Sequence, residues 1–258
     1  MTRFVRLFVL PCLAALITTR GADAGELNYG LYVLGVPLAD VMLSIDLASR
    51  AYRIGLHYHT IGLASLVAGD RMDTNTSGVF EGDRPEPLEY EAIGKLHGQD
   101  RVVGLTWRNG TPIVTSLSPS NDAEREDVPA SLRAHTIDPW SVIILLVQQA
   151  ATTGRCEGNA RTYDGRRLES FEARTAGEDE LTPGMHSSFR GRALRCDFTD
   201  QALAGFRFGP GRNDDQRVRR GTVWLAPVLP GTQRLPVRAS LETRLLGDAM
   251  IYLTSATP

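Results

Sequence analysis

Asp138-Pro139-Trp140-Ser141-Val142-Ile143-Ile144-Leu145-Leu146-Val147-Gln148-Gln149-Ala150-Ala151 is the one long helical signal in a chain whose other apolar residues mostly alternate with polar ones. Asp138 suits the capping position, where its carboxylate accepts from the unpaired amides of the first turn. Pro139 suits the first helical position, where its missing N–H is no loss, and Gly154 offers a stop just beyond. Every position from Val142 to Val147 is apolar, which leaves that span no solvent face, so the helix has to be buried on several sides. At 1.5 Å per residue it is about 20 Å long, too short for a bilayer core of about 30 Å. Its cover must be protein, and the flanking sequence supplies strands.

From Gly25 onward the pattern has period two. Leu27, Tyr29, Leu31 and Val33 share a face, Gly35-Val36-Pro37 reads as a turn, and Val41, Leu43, Ile45 and Leu47 follow opposite Asp40, Ser44 and Asp46. Tyr52, Ile54, Leu56 and Tyr58 repeat the device, with Arg53, His57 and His59 facing out. Further strands are expected around Arg71–Phe80, Leu88–Ala92 and Val103–Trp107, with Asn109-Gly110 as a hairpin turn. After the helix they resume near Tyr163-Asp164-Gly165-Arg166, a tight turn, with a bulge near Leu168 and Phe171. They continue through Leu194–Phe198, Val223–Ala226, Leu235–Leu241 and Ala249–Leu253. Ser118–Ala130 and Arg174–His186 read as polar loops, and Ile61–Ala68 as a second, short apolar helix between Gly62 and Gly69. The expected fold is mainly β: a strongly curved antiparallel sheet, half-open or nearly closed into a barrel, wrapped around one buried apolar helix, with a second short helix.

The N-terminus has the order of a secretory signal peptide: Arg3 and Arg6, an apolar run from Leu7 to Thr18, and Ala22-Asp23-Ala24 as a cleavage site. Residues 1–24 are expected to be removed, leaving 25–258 as a single β-rich periplasmic domain. Cys12 follows Leu10-Pro11, where a lipoprotein signal places a small residue, which argues against lipidation. Processing takes 28 basic and 30 acidic residues to 25 and 29, a net charge near −4. The cluster Arg212, Arg217, Arg219 and Arg220 is interrupted by Asp214 and Asp215 and has no stacking aromatics, so it reads as a solvated turn and nucleic acid is not an expected partner. Cys156 and Cys196 are the two cysteines left, and in an oxidising compartment they are expected to form one disulfide.

Tyr32-Val33-Leu34-Gly35-Val36-Pro37, Thr60-Ile61-Gly62-Leu63, Thr136-Ile137-Asp138-Pro139, Cys156 with Tyr163-Asp164-Gly165-Arg166-Arg167, and Pro236-Val237-Arg238 resemble, in order and spacing, the bacterial envelope family known as domain of unknown function 3108. The resemblance covers most of the chain beyond the signal peptide. It implies an exported protein with a curved antiparallel sheet, similar in design to the lipoprotein carriers LolA and LolB, and it brings no catalytic residues with it.

Catalytic constellations are sparse. His57 and His59 lie about 7 Å apart on one face of a strand, a spacing that holds a metal when further ligands join, but no third ligand is evident. His186 precedes Ser187-Ser188 without a nucleophile elbow, and Asp138 beside Trp140 is explained by capping. No phosphate-binding loop, dinucleotide fingerprint or zinc-finger spacing occurs, so neither cofactor nor metal is expected. The first expectation is a non-catalytic periplasmic protein that binds or carries an acyl chain or other apolar ligand. Trp140, Ile143 and Val147 on the long helix would touch that ligand, with Leu63 and Leu66 on a short helix acting as a lid. The alternatives are an envelope scaffold that binds a protein partner and an unrecognised enzyme.

Overall fold

The computed structural model describes residues 23–67, 69–228, 232–243 and 247–257. The expected signal peptide lies outside them except for Asp23 and Ala24, and Ala68 is outside them too. Thirteen strands form one antiparallel sheet: β1 (Asp23–Val33), β2 (Val36–Leu47), β3 (Ala51–Thr60), β4 (Arg71–Glu81), β5 (Arg84–Leu96), β6 (Gln99–Arg108), β7 (Thr111–Ser118), β8 (Gly158–Tyr163), β9 (Leu168–Leu181), β10 (Gly191–Ala204), β11 (Arg219–Pro227), β12 (Arg234–Glu242) and β13 (Asp248–Thr257). The helices are α1 (Gly62–Val67), α2 (Ser141–Thr153) and α3 (Gly211–Asp215).

The spatial order runs β7 to β1 and then β13 back to β8, so the first and last strands pair in the middle and the free edges are β7 and β8. The sheet curls until those edges face each other, the nearly closed barrel expected from the need to cover an all-round apolar helix. Neighbours alternate in direction. The β1–β2, β3–β4, β5–β6, β8–β9, β10–β11 and β12–β13 connections therefore share one end of the barrel, here called the mouth.

The two edges do not pair with each other. Residues 119–140, carrying two short 3-10 turns, run as a strap along the seam. Ile137 N donates to Arg161 O at 2.9 Å and Tyr163 N to Ile137 O at 2.9 Å, a parallel bridge to β8, while His135 N reaches Gly110 O at the β6–β7 turn at 2.7 Å. Trp107 Nε1 donates to Thr136 O at 2.7 Å. At the mouth the β8–β9 turn inserts against β6 and β7. Gly165 has φ +86°, and a Cβ there would come within 2.6 Å of Val103 Cγ1, so glycine is required twice over. The buried Arg166 beside it donates to Ser118 O (3.0 Å), Pro119 O (2.9 Å) and Asn121 Oδ1 (3.3 Å), tying the turn to the start of the strap.

Several local readings change. The first hairpin turns at Leu34-Gly35, both at positive φ, and Val36-Pro37 already belong to β2. Arg174–Leu181, expected as loop, continues β9, because it pairs with β10 and its polar side chains find partners on β10, β11 and β12. Trp224 Nε1 donates to Asp179 Oδ2 at 2.8 Å, and Glu178 lies 3.5 Å from Arg192 and 3.6 Å from Arg234. The irregularity near Leu168 sits on the partner strand, between Ala202 and Ala204. Asn109-Gly110 forms its turn, with φ of 52° and 69°.

The disulfide is formed. Cys156 and Cys196 are both fully buried, joined across 40 residues with Cα atoms 6.0 Å apart, and they tie the exit of α2 to β10. A cross-link closing a loop of that length stabilises by about 4 kcal/mol through the unfolded chain. Replacing both cysteines with serine should lower the unfolding free energy by about 2–5 kcal/mol in a denaturant titration, and wild-type protein should move by a similar amount when reduced. Arg166→Lys should lower it by about 1–3 kcal/mol, because a lysine ammonium cannot span the three acceptors that the guanidinium holds.

Candidate functional site: an apolar cavity above the buried helix

Asp138 sets where α2 begins. Its side chain is fully buried and Oδ1 accepts from Trp140 N at 2.9 Å and Ser141 N at 3.1 Å, the capping role expected of it. Ser141 Oγ donates to Oδ2, and Tyr52 O–H, 2.7 Å from Ser141 Oγ, extends the chain to β3. Thr76 on β4 has one hydroxyl proton and two acceptor neighbours, Asp138 Oδ2 at 2.9 Å and Glu89 O at 3.1 Å. Burial pushes the Asp138 carboxyl above the usual carboxylate range, opposed by the hydrogen bonds from Ser141, Thr76 and Trp140. At the other end, Gly154 stops the helix in the left-handed conformation at φ 71°.

Held there, the first turns of α2 floor a partly open cavity of about 480 Å³ between the helix and both arms of the sheet. Trp140, Val142, Ile143 and Leu146 come from the helix. Leu43, Leu56, Met72, Phe171, Phe198, Leu225 and Ala239 are among the wall residues, and the lining is almost wholly apolar. Tyr29 also lines it, with its hydroxyl spent on Pro236 O at 2.8 Å. The volume falls within the range of about 300–1,000 Å³ typical of small-molecule sites.

Trp140 and Ile143 line this cavity. Val147 does not. It lies one turn further along the same side of α2, where the sheet has closed over the helix, and is 1 % exposed in the cluster with Leu181 and Ala193. Leu63 and Leu66 are also absent from the lining. They project into solvent from α1, 76 % and 80 % exposed, because that helix is a single turn and a half packed on β2 rather than folded over the cavity. The wall residues from the second half of the chain, Phe171, Phe198, Val223 and Ala239, read from sequence only as inward strand positions, and no local signal marks them as a site.

His57 and His59 stand on the outer face with ring centres 5.5 Å apart; His57 Nδ1 lies 2.5 Å from Asp73 Oδ1, and His59 lies 3.9 Å from Asp40. Among the described residues no group of three or more His, Cys, Asp or Glu side chains is placed to hold a metal ion. The His186 ring stacks on Tyr32 with centres 4.1 Å apart, and Ser188 Oγ donates to Leu253 O, so no nucleophile and base are brought together there. No described helix is long and apolar enough to cross a membrane.

The Asp138 geometry has a measurable pH signature. The unfolded carboxyl loses its proton near pH 4 and the folded one at a higher pH, so between those two values the folded state holds the extra proton and stability falls as pH rises. Asp138→Asn keeps the acceptor for the helix amides and a donor for Thr76. Urea titrations at successive pH values should show wild type losing stability relative to this variant above pH 4, then running parallel to it. Asp138→Ala should cost about 2–3 kcal/mol at pH 4 and less above it, as the wild type gives up the stability that the raised carboxyl supplies.

No curated protein matches the chain. A crystal structure described as a β-barrel-like protein of domain of unknown function DUF1849 from Brucella abortus is similar in fold, with TM-score 0.52 and 10 % identity over 90 % of this chain and 96 % of that one. The model of the protein family of unknown function DUF3108 matches residues 26–254, nearly the whole described chain, and the protein belongs to that family.

Proposed function

We propose that this protein is a non-catalytic carrier or receptor that holds an apolar ligand, an acyl chain in the first instance, in the cavity above α2. The observation that carries this reading is the 480 Å³ void itself. Packed interiors leave few voids larger than a water molecule, and an apolar void of this size forfeits dispersion contacts that an occupant would restore. A catalytic site would instead bring polar groups of perturbed pKa together inside the cavity, and the buried carboxyl nearby, Asp138, is spent on capping the helix. Export to the periplasm is part of the same proposal, supported by the signal-like N-terminus and by the buried disulfide. The resemblance to LolA and LolB carries none of it.

A second reading, an envelope protein that docks a protein partner, is favoured by one feature. Leu34 and Val36 at the β1–β2 turn and Leu63 and Leu66 on α1 are exposed at the mouth, and Ile61 N bonding Leu38 O at 2.9 Å holds α1 beside that turn. The two readings separate on one variant. Ala239→Phe places a ring in the cavity and should reduce uptake of a fluorescent fatty acid at least tenfold while leaving the thermal midpoint unchanged or raised. Failure of the wild type to take up any apolar probe, in titration or as a lipid co-purifying in native mass spectrometry, would overturn the carrier reading in favour of the docking protein.

A further inference from the structure

We infer that the ligand is a single-chain amphiphile with an anionic head group, its tail in the apolar cavity and its head in an arginine-lined vestibule at the mouth of the barrel. This rests on the carrier reading and adds the polarity and orientation of what is carried. The vestibule is a second cavity of about 750 Å³, and Met72, Thr74 and Trp140 line both it and the apolar cavity, so the two are contiguous. Its walls come from the β5–β6, β8–β9 and β10–β11 connections and the start of the strap, all at the mouth.

The charges there are unevenly committed. Glu124 is held by both terminal nitrogens of Arg101, at 2.7 and 2.9 Å. Glu169 is shared by Arg167 at 3.3 Å and Arg219 at 2.6 Å, Asp164 pairs with Arg167 at 3.2 Å, and Asp215 with Arg207 at 2.9 Å. Three guanidinium groups of the vestibule, Arg125, Arg166 and Arg217, have no carboxylate partner among the described residues. Arg166 spends its donors on neutral oxygens of the seam. Arg125 donates to Gly205 O at 2.8 Å and its buried Nε has no partner, and Arg217 is exposed without a side-chain bond.

These guanidinium groups repel one another, with Asp164, Asp215 and Glu124 near enough to offset part of that repulsion. Burial and then the neighbouring Arg167 push Arg125 below the usual guanidinium range, and burial and then Arg101 do the same to Arg166. An oxyanion at this level would relieve that repulsion and accept charge-assisted hydrogen bonds. Helix α2 does not supply the anion site, because Asp138 already occupies its first-turn amides. A carboxylate and a phosphate monoester share the required chemistry.

The test compares four probes on the full chain: a long-chain fatty acid, the alcohol of the same chain length, the corresponding alkyl phosphate, and inorganic phosphate alone. The acid and the alkyl phosphate should bind at least tenfold more tightly than the alcohol, with the difference shrinking as salt rises, and inorganic phosphate alone should show no saturable binding. Arg217→Glu, at an exposed position where folding is not at stake, should weaken acid and alkyl phosphate about tenfold and leave the alcohol within twofold. Arg125→Gln should act in the same direction. Equal affinity for acid and alcohol, or an Arg217→Glu effect equal for both, would overturn the head-group inference and leave the carrier reading standing. Binding of no chain at all would remove both, and saturable phosphate binding without chain binding would replace the amphiphile by a free anion.

Discussion

The structure depends on one constraint: over Val142–Val147, α2 has no side that tolerates water. Ile144, Leu145 and Val147 pack toward β1–β3, β8, β11 and β12, while Val142, Leu146 and Ala150 pack toward β9–β11 and the disulfide. A flat sheet covers one side of a helix. Only a sheet curled through most of a circle covers it all round, and the right-handed twist of antiparallel strands makes such curling available at little cost. Asp138 then decides the depth at which the helix starts, since its carboxyl is engaged at once with two helix amides, Ser141 and a strand hydroxyl.

Closing a thirteen-stranded sheet raises the question of what happens at its edges. Here β7 and β8 are bridged by a strap rather than by each other, so the seam is made of specific pins: Trp107 on Thr136 O, the Ile137 bridge to Thr162, and Arg166 across the mouth. The arrangement hides both edges from intermolecular strand addition. The two contiguous cavities lie toward the mouth.

The cavities follow from how the helix is placed. Its deeper turns are gripped by the sheet, whereas the first turns, at Trp140 and Ile143, carry open space above them. The polar seam of the mouth and the apolar space beneath it meet at Trp140, a side chain whose body suits one and whose edge suits the other. That juxtaposition, rather than any cluster of reactive groups, gives the interior its chemical character.

What the sequence determined by itself was the set of elements and their dry faces: the capped apolar helix with its Gly154 stop, the period-two strands, the Asn109-Gly110 turn, the Tyr163-Asp164-Gly165-Arg166 turn and the Cys156–Cys196 pair. These are local, because capping, alternation and turn conformation are properties of a few adjacent residues. The polar run Arg174–Leu181 escaped that reading, since its strand character rests on partners such as Arg192, Arg234 and Trp224, far away in sequence. The candidate site escaped it more fully. Trp140 and Ile143 share their helix side with Val147, and only the distance at which the sheet closes separates cavity wall from core. Likewise Leu63 and Leu66 carry the same apolar signal whether they cover a cavity or face solvent. Tertiary structure decided these points, because a void is defined by side chains from opposite arms of the sheet, and no periodicity along one strand records how far away the other arm lies.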